Sequence, residues 1–147
     1  MAKAVFLRLA QAEAAVHGVD IEHIHFHEVG AIDAIVDICG VCILIDIIAP
    51  DQILCSPINV GTGTVKCAHG VMPVPAPATV RLLTDLLSYG SGIGEKTTPT
   101  GAALLATLAT QCATQPVMRV QQTGYGFGKR DTGELNALRV MIGEIEQ

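Results

Sequence analysis

The 147-residue chain holds 9 Lys and Arg against 14 Asp and Glu, a formal net charge of −5, with half its residues apolar and 16% charged. That balance excludes a disordered chain, and the lack of Trp, the 3% aromatic content and the absence of any Lys/Arg run argue against a nucleic-acid partner. One domain of this length can bury a core, which here must be built from Ile, Leu, Val and Ala.

Residues 2–17 are Ala-rich and followed by Gly18, which predicts a helix with a glycine stop. Residues 22–28, Glu-His-Ile-His-Phe-His-Glu, alternate with period two and read as extended. A long apolar helix is expected over 31–48, ended before Pro50 and buried. It contains Asp33, Asp37 and Asp46, and carboxylates cost several kcal/mol at membrane depth, so the expected setting is a soluble core and no membrane is implied.

"QILCSPINV", 52–60, reads as a strand. "GTGTVKCAHGVMPVPAPA", 61–78, is too rich in Gly and Pro for a helix, and its Pro spacing favours extended geometry. A short helix follows over 78–87, then a turn region over 88–98. Pro99 opens a helix that runs through Gln111. Residues 117–127 and 136–145 form a final β pair. Helices and strands mix without a βαβ repeat, so the expected class is α+β, a small, mostly antiparallel sheet packed against three or four helices in a single domain, 1–147. Five cysteines, an odd number in apolar surroundings, and a start without a signal-like block favour a reduced, cytoplasmic setting.

Three of the five histidines lie in the 22–28 stretch. If it is extended, His23, His25 and His27 share a face and can chelate one ion, since neutral imidazole suits Ni, Zn, Cu and Fe. The alternative is the polar face of an edge strand. Asp33 and Asp37, four apart, share a helix face; buried there they need a cation, a metal or donors, although the helix dipole alone accounts for Asp33. Glu28 precedes them at the expected turn. Cys67 and His69, two apart beside Lys66, allow a thiolate–imidazole pair or are incidental. Cys39-x-x-Cys42 lies among apolar helix residues and reads as buried thiols. Thr98, Thr100 and Gly101 open a helix and offer hydroxyls and N–H groups to an anion, or simple N-capping.

Four segments in order, "HFHEVGAIDAIVDI", "SPINVGTGTVKCAHGVMPVPAPAT", "TTPTGAALL" and "GYGFGKRDTGELNALRV", closely resemble the LarC family of nickel-insertion proteins, over about residues 13–144. The resemblance implies nickel insertion into a pyridinium-bisthiocarboxylic acid mononucleotide, consuming CTP with a divalent metal, in maturation of lactate racemase and similar enzymes. Carried onto the matching motifs, it puts nickel at His25, His27, Cys67 and His69. Glu28, Asp33 and Asp37 become the catalytic carboxylates. The mononucleotide phosphate goes to Thr98, Thr100 and Gly101 with Lys66. His23 lies outside the matched motif and keeps its structural reading. The resemblance also implies an additional N-terminal segment and a C-terminal domain, so the chain is expected to be a central fragment, with CTP handled outside it.

Three functions therefore stand: the core of a nickel chelatase; a non-catalytic delivery or assembly module that needs the remaining family segments or a split partner chain; and a metal-dependent hydrolase using the His/Asp cluster. Apolar surface left bare by missing segments would favour homo-oligomers.

Overall fold

Strong helix formers without β-branched runs carry α1, Ala2–His17, until Gly18 takes the left-handed conformation (φ 66°) and returns its N–H to the Ala14 carbonyl. The computed structural model describes residues 1–24, 32–67, 70–128, 133 and 135–146. A single 3₁₀ turn follows at Ile21–His23, so Glu22 and His23 are not extended as expected. His25, His27 and Glu28 lie outside the described residues.

Helix α2 spans Ile32–Ile48 as expected in extent, but it is not the buried helix that its composition suggested. Only Ala34, Ile38 and Cys42, spaced four apart, reach the core, while Ile32, Val36, Ile43, Leu44 and Ile47 are 79, 62, 59, 58 and 73% exposed. An apolar helix normally buries its whole circumference; this one finds partners on a single face. No helix among the described residues is long and apolar enough to cross a membrane.

The segment 52–60 splits into two strands at Pro57, which has no N–H to give a ladder. Upstream, β1 (Leu54–Cys55) runs parallel to β8 (Gln111–Cys112). Downstream, β2 (Ile58–Asn59) runs parallel to β6 (Ser88–Tyr89), and the Ile58 and Val60 N–H groups donate to Leu87 and Tyr89. Next, β3 (Gly61–Thr62) pairs antiparallel with β7 (Gly94–Glu95), and β4 (Thr64–Cys67) with β5 (Gly70–Pro73). The helix expected over 78–87 is shorter: α3 occupies Pro77–Leu82, and Asp85 at φ 67° turns the chain away. Helix α4, Pro99–Leu108, stops three residues early because Gln111 and Cys112 extend to join β1. The chain closes with an antiparallel ribbon, β9 (Met118–Phe127) against β10 (Ala137–Ile145), bulged at Ile142/Gly143.

The class is α+β as expected, with four helices. The described strands form five two-stranded pairs, three antiparallel and two parallel, in place of one sheet. The core forms where α1 packs on α2, α3 and α4. Val5 and Leu9 of α1 meet Ile38, Leu82, Leu83, Ala102 and Ala103, and the alanines let the helix axes approach closely. Fully burying each Leu, Ile or Val contributes about 1.5–3 kcal/mol. Arg8 adds a hydrogen bond from its guanidinium to the Ala106 carbonyl, fastening α1 to the end of α4.

Candidate functional site

Asn59 organises the region around α4's start. Its side-chain Oδ1 accepts from Gly61 N and from Ser91 N, both at 3.0 Å, the first contact being an Asx turn. Its main-chain carbonyl accepts from the Thr97 hydroxyl at 2.7 Å. The Thr62 hydroxyl donates to Gly92 O at 2.7 Å, and Lys96 N to Val60 O at 3.2 Å. Gly61 has φ 83°, and a Cβ there would fall 1.9 Å from the Gly94 carbonyl oxygen, so only glycine fits this crossing. Two motifs more than thirty residues apart, "SPINVGTG" and "TTPTGAALL", are thereby stitched side by side.

Thr98 is the N-cap of α4, and its hydroxyl accepts from Gly101 N at 3.2 Å. Ala102 N bonds the Thr98 carbonyl at 2.9 Å, and Pro99 has no N–H. Of the first-turn donors, Gly101's is therefore already engaged by Thr98, and Thr100 supplies the next. The capping alternative is present in the geometry; an anion would have to compete with it for Gly101.

The β4–β5 hairpin leaves this region, with Val74 N returning to Gly63 O at 3.0 Å. Lys66 is exposed and Cys67 half-buried on β4. Cys67 pairs with Gly70 and its thiol donates to the Gly70 carbonyl at 3.5 Å. His69 lies outside the described residues, as do His25, His27 and Glu28, so the expected imidazole ligands are not placed.

Asp33 and Asp37 are both exposed on α2, which removes the premise that they are buried carboxylates in need of partners. Asp33 sits in the first turn and its carboxylate accepts from Ala34 N at 2.9 Å, in line with the dipole reading. Among the described residues no three His, Cys, Asp or Glu side chains come close enough to hold a metal ion.

All five cysteines are free thiols. Cys42 is buried in α2, as expected, and burial pushes its thiol up from the ordinary value, whereas Cys39 is only half-buried. Sequence reasoning missed a second pair: Cys55 and Cys112 are cross-strand partners in the β1–β8 ladder. Burial first, then the side-chain hydrogen bond with Cys112, pushes the Cys55 thiol up to about 11. Cys112's thiol lies 3.5 Å from the carbonyls of Ser56 and Leu87. Nothing in the spacing marked Cys112, because it follows a helix by four residues and read as its tail. Asn59 had one local signal, the Asn-Val-Gly turn.

The family model described as "Nickel insertion protein" matches residues 1–147. A Pelobacter propionicus protein that carries a nickel-insertion name is 51% identical over 147 residues, covering 99% of this chain and 38% of its own. Proteins named pyridinium-3,5-bisthiocarboxylic acid mononucleotide nickel insertion protein, from Desulfitobacterium hafniense and Clostridium acetobutylicum, are each 49% identical, over 96% and 97% of this chain and 35% and 34% of their own. The chain thus spans a little over a third of the length of the curated relatives it matches. No solved structure matches it.

Proposed function

The chain belongs to the nickel insertion protein family, and from that membership we propose that it forms part of an apparatus that inserts nickel into pyridinium-3,5-bisthiocarboxylic acid mononucleotide. The match of the family model along residues 1–147 carries this reading. Nickel is here a substrate in transit. A borderline divalent ion moves between imidazole or thiolate ligands and the two sulfur donors of the bisthiocarboxylic acid, so the donor set must hold nickel and still release it.

In this reading His25, His27, Cys67 and His69 receive nickel, with Cys67 giving up its thiol proton as it binds. Glu28 accepts such protons, and Asp33 and Asp37, exposed on the first turns of α2, orient the imidazoles or attract the incoming cation. Lys66 and the Thr98–Gly101 turn take the mononucleotide phosphate. The stitching of 59–62 to 91–97 supports that assignment, since it fixes the base of the Lys66 hairpin beside the start of α4. The resemblance also implies CTP and a divalent metal. Among the described residues no three ligand side chains come together for such a metal, and the start of α4 caps itself. A cytoplasmic setting accords with five free thiols.

The second reading, a delivery or assembly module completed by other segments or a partner chain, is favoured by the apolar face that α2 leaves uncovered. Nickel calorimetry on the chain and its His25→Ala/His27→Ala variant tests the ligand assignment. The expected result is nickel affinity reduced at least about tenfold in the variant; equal affinities would remove these histidines from the site.

A further inference from the structure

Cys55 and Cys112 belong neither to the nickel ligands nor to the mononucleotide site proposed above, yet the fold sets them side by side. They are register partners in the parallel β1–β8 ladder, so they stand on the same face of adjoining strands. The ladder is pinned at both ends: Thr110 N donates to Ile53 O at 2.7 Å, and Ala113 N to the Cys55 carbonyl at 2.9 Å. Paired strands run about 4.7–4.9 Å apart, inside the roughly 4.4–6.8 Å between Cα atoms that a disulfide spans. The side chains complete the approach, since the two thiols share a hydrogen bond. Weak contacts of 3.5 Å to the Ser56 and Leu87 carbonyls also hold the Cys112 thiol, and these are readily exchanged for another partner. Both residues are half-buried at the rim of the core, within reach of a small solute. Cys39 and Cys42, by contrast, lie one turn apart on a single helix, where a bond would join no two elements.

We propose that Cys55 and Cys112 form a reversible thiol–disulfide pair, closed by a low-molecular-weight disulfide of the glutathione type and reopened by the corresponding thiol. One cysteine, as thiolate, attacks the small disulfide, forms a mixed disulfide and expels one small thiolate. The other cysteine, after losing its proton, attacks the cysteine sulfur of that mixed disulfide and expels the second. In all, two cysteine thiols lose two protons and two electrons, and the small disulfide takes them up as two thiols. The bond ties the strand entering the Asn59 hub to the chain leaving α4, and closes a loop that holds β2 to β7, α3 and α4. A cross-link over so long a loop restricts the unfolded chain strongly, so the closed form resists unfolding. In a reducing compartment the pair stays open until the oxidised solute accumulates. The inference is independent of the nickel chemistry.

Equilibration of the purified chain in glutathione buffers, from fully reduced to fully oxidised, tests it by thiol titration, peptide mass mapping and thermal unfolding. Oxidised glutathione is expected to remove two of the five free thiols and to link the Cys55 and Cys112 peptides. The thermal midpoint should rise by roughly 5 °C or more. Excess reduced glutathione should reverse all three changes. Cys112→Ala is expected to abolish the link and the rise, and Cys39→Ala to leave both; the wild-type peptide map decides the pairing even where a variant folds poorly. A chain that keeps all five thiols in oxidised glutathione overturns the proposal. So does a link between other cysteines, a glutathione adduct that never resolves to a link, a link that reduced glutathione fails to reopen, or a Cys55–Cys112 link that leaves the midpoint unmoved or lower.

Discussion

Cys55 shows how a single residue's environment ties stability to pH. Its thiol is pushed up to about 11 from an ordinary 9.0 by burial and by Cys112. Folding therefore favours the protonated thiol, and the unfolded chain loses that proton first as pH rises. The stability this group contributes is full below pH 9.0 and is lost as pH climbs toward 11. Urea unfolding of the wild type should show a midpoint that falls across this window, and Cys55→Ala should flatten the fall. An unchanged slope in the variant would assign the pH effect to other groups. The same pair shows what sequence could not yield: a cross-strand partnership between residues 57 apart depends on two-residue strands that only tertiary contact creates. Asn59 was half legible, as a turn residue before Val-Gly, while its second bond to Ser91 depends on the chain's return thirty residues later.

Elements with a periodic pattern and a local stop signal were readable. Helix α1 ended at its glycine, α4 began at Thr98-Pro99, and the final β pair appeared within the segments expected for it, 117–127 and 136–145. Pairing between short strands was not readable, because Pro57 hands the chain from one partner strand to another within three residues. The exposure of α2 also escaped the sequence, since a helix apolar on every side carries no pattern to say which side is covered. Helix α4 allows a sharper test of the site. Thr98→Ala is expected to lower stability by about 1 kcal/mol through loss of the cap, and Thr98→Ser to restore it, read from urea midpoints. If Thr98→Ala leaves the midpoint unchanged, the hydroxyl is not acting as the cap, and an anion would find Gly101 uncontested.

At the scale of the whole molecule, the family was legible from four long motifs, and the match along residues 1–147 bears it out. The ligand assignments at His25, His27, Glu28 and His69 lie outside the described residues and stand as proposals. What the fold does supply is a rigid hub at Asn59 that holds the Lys66–Cys67 hairpin and the start of α4 together, on a helical core with one uncovered apolar face. Neither feature by itself makes an inserted nickel centre; the proposed mononucleotide site rests on the first, and the reading as an assembly module on the second.

The most direct test is to load the purified chain with nickel, add pyridinium-3,5-bisthiocarboxylic acid mononucleotide, and follow sulfur-to-nickel charge-transfer absorption. The account predicts a band that grows with the mononucleotide beyond what free nickel gives, and that is diminished in Lys66→Ala and in His25→Ala/His27→Ala. A band no larger than that of free nickel and mononucleotide mixed without the chain, or one indifferent to all three substitutions, would contradict it.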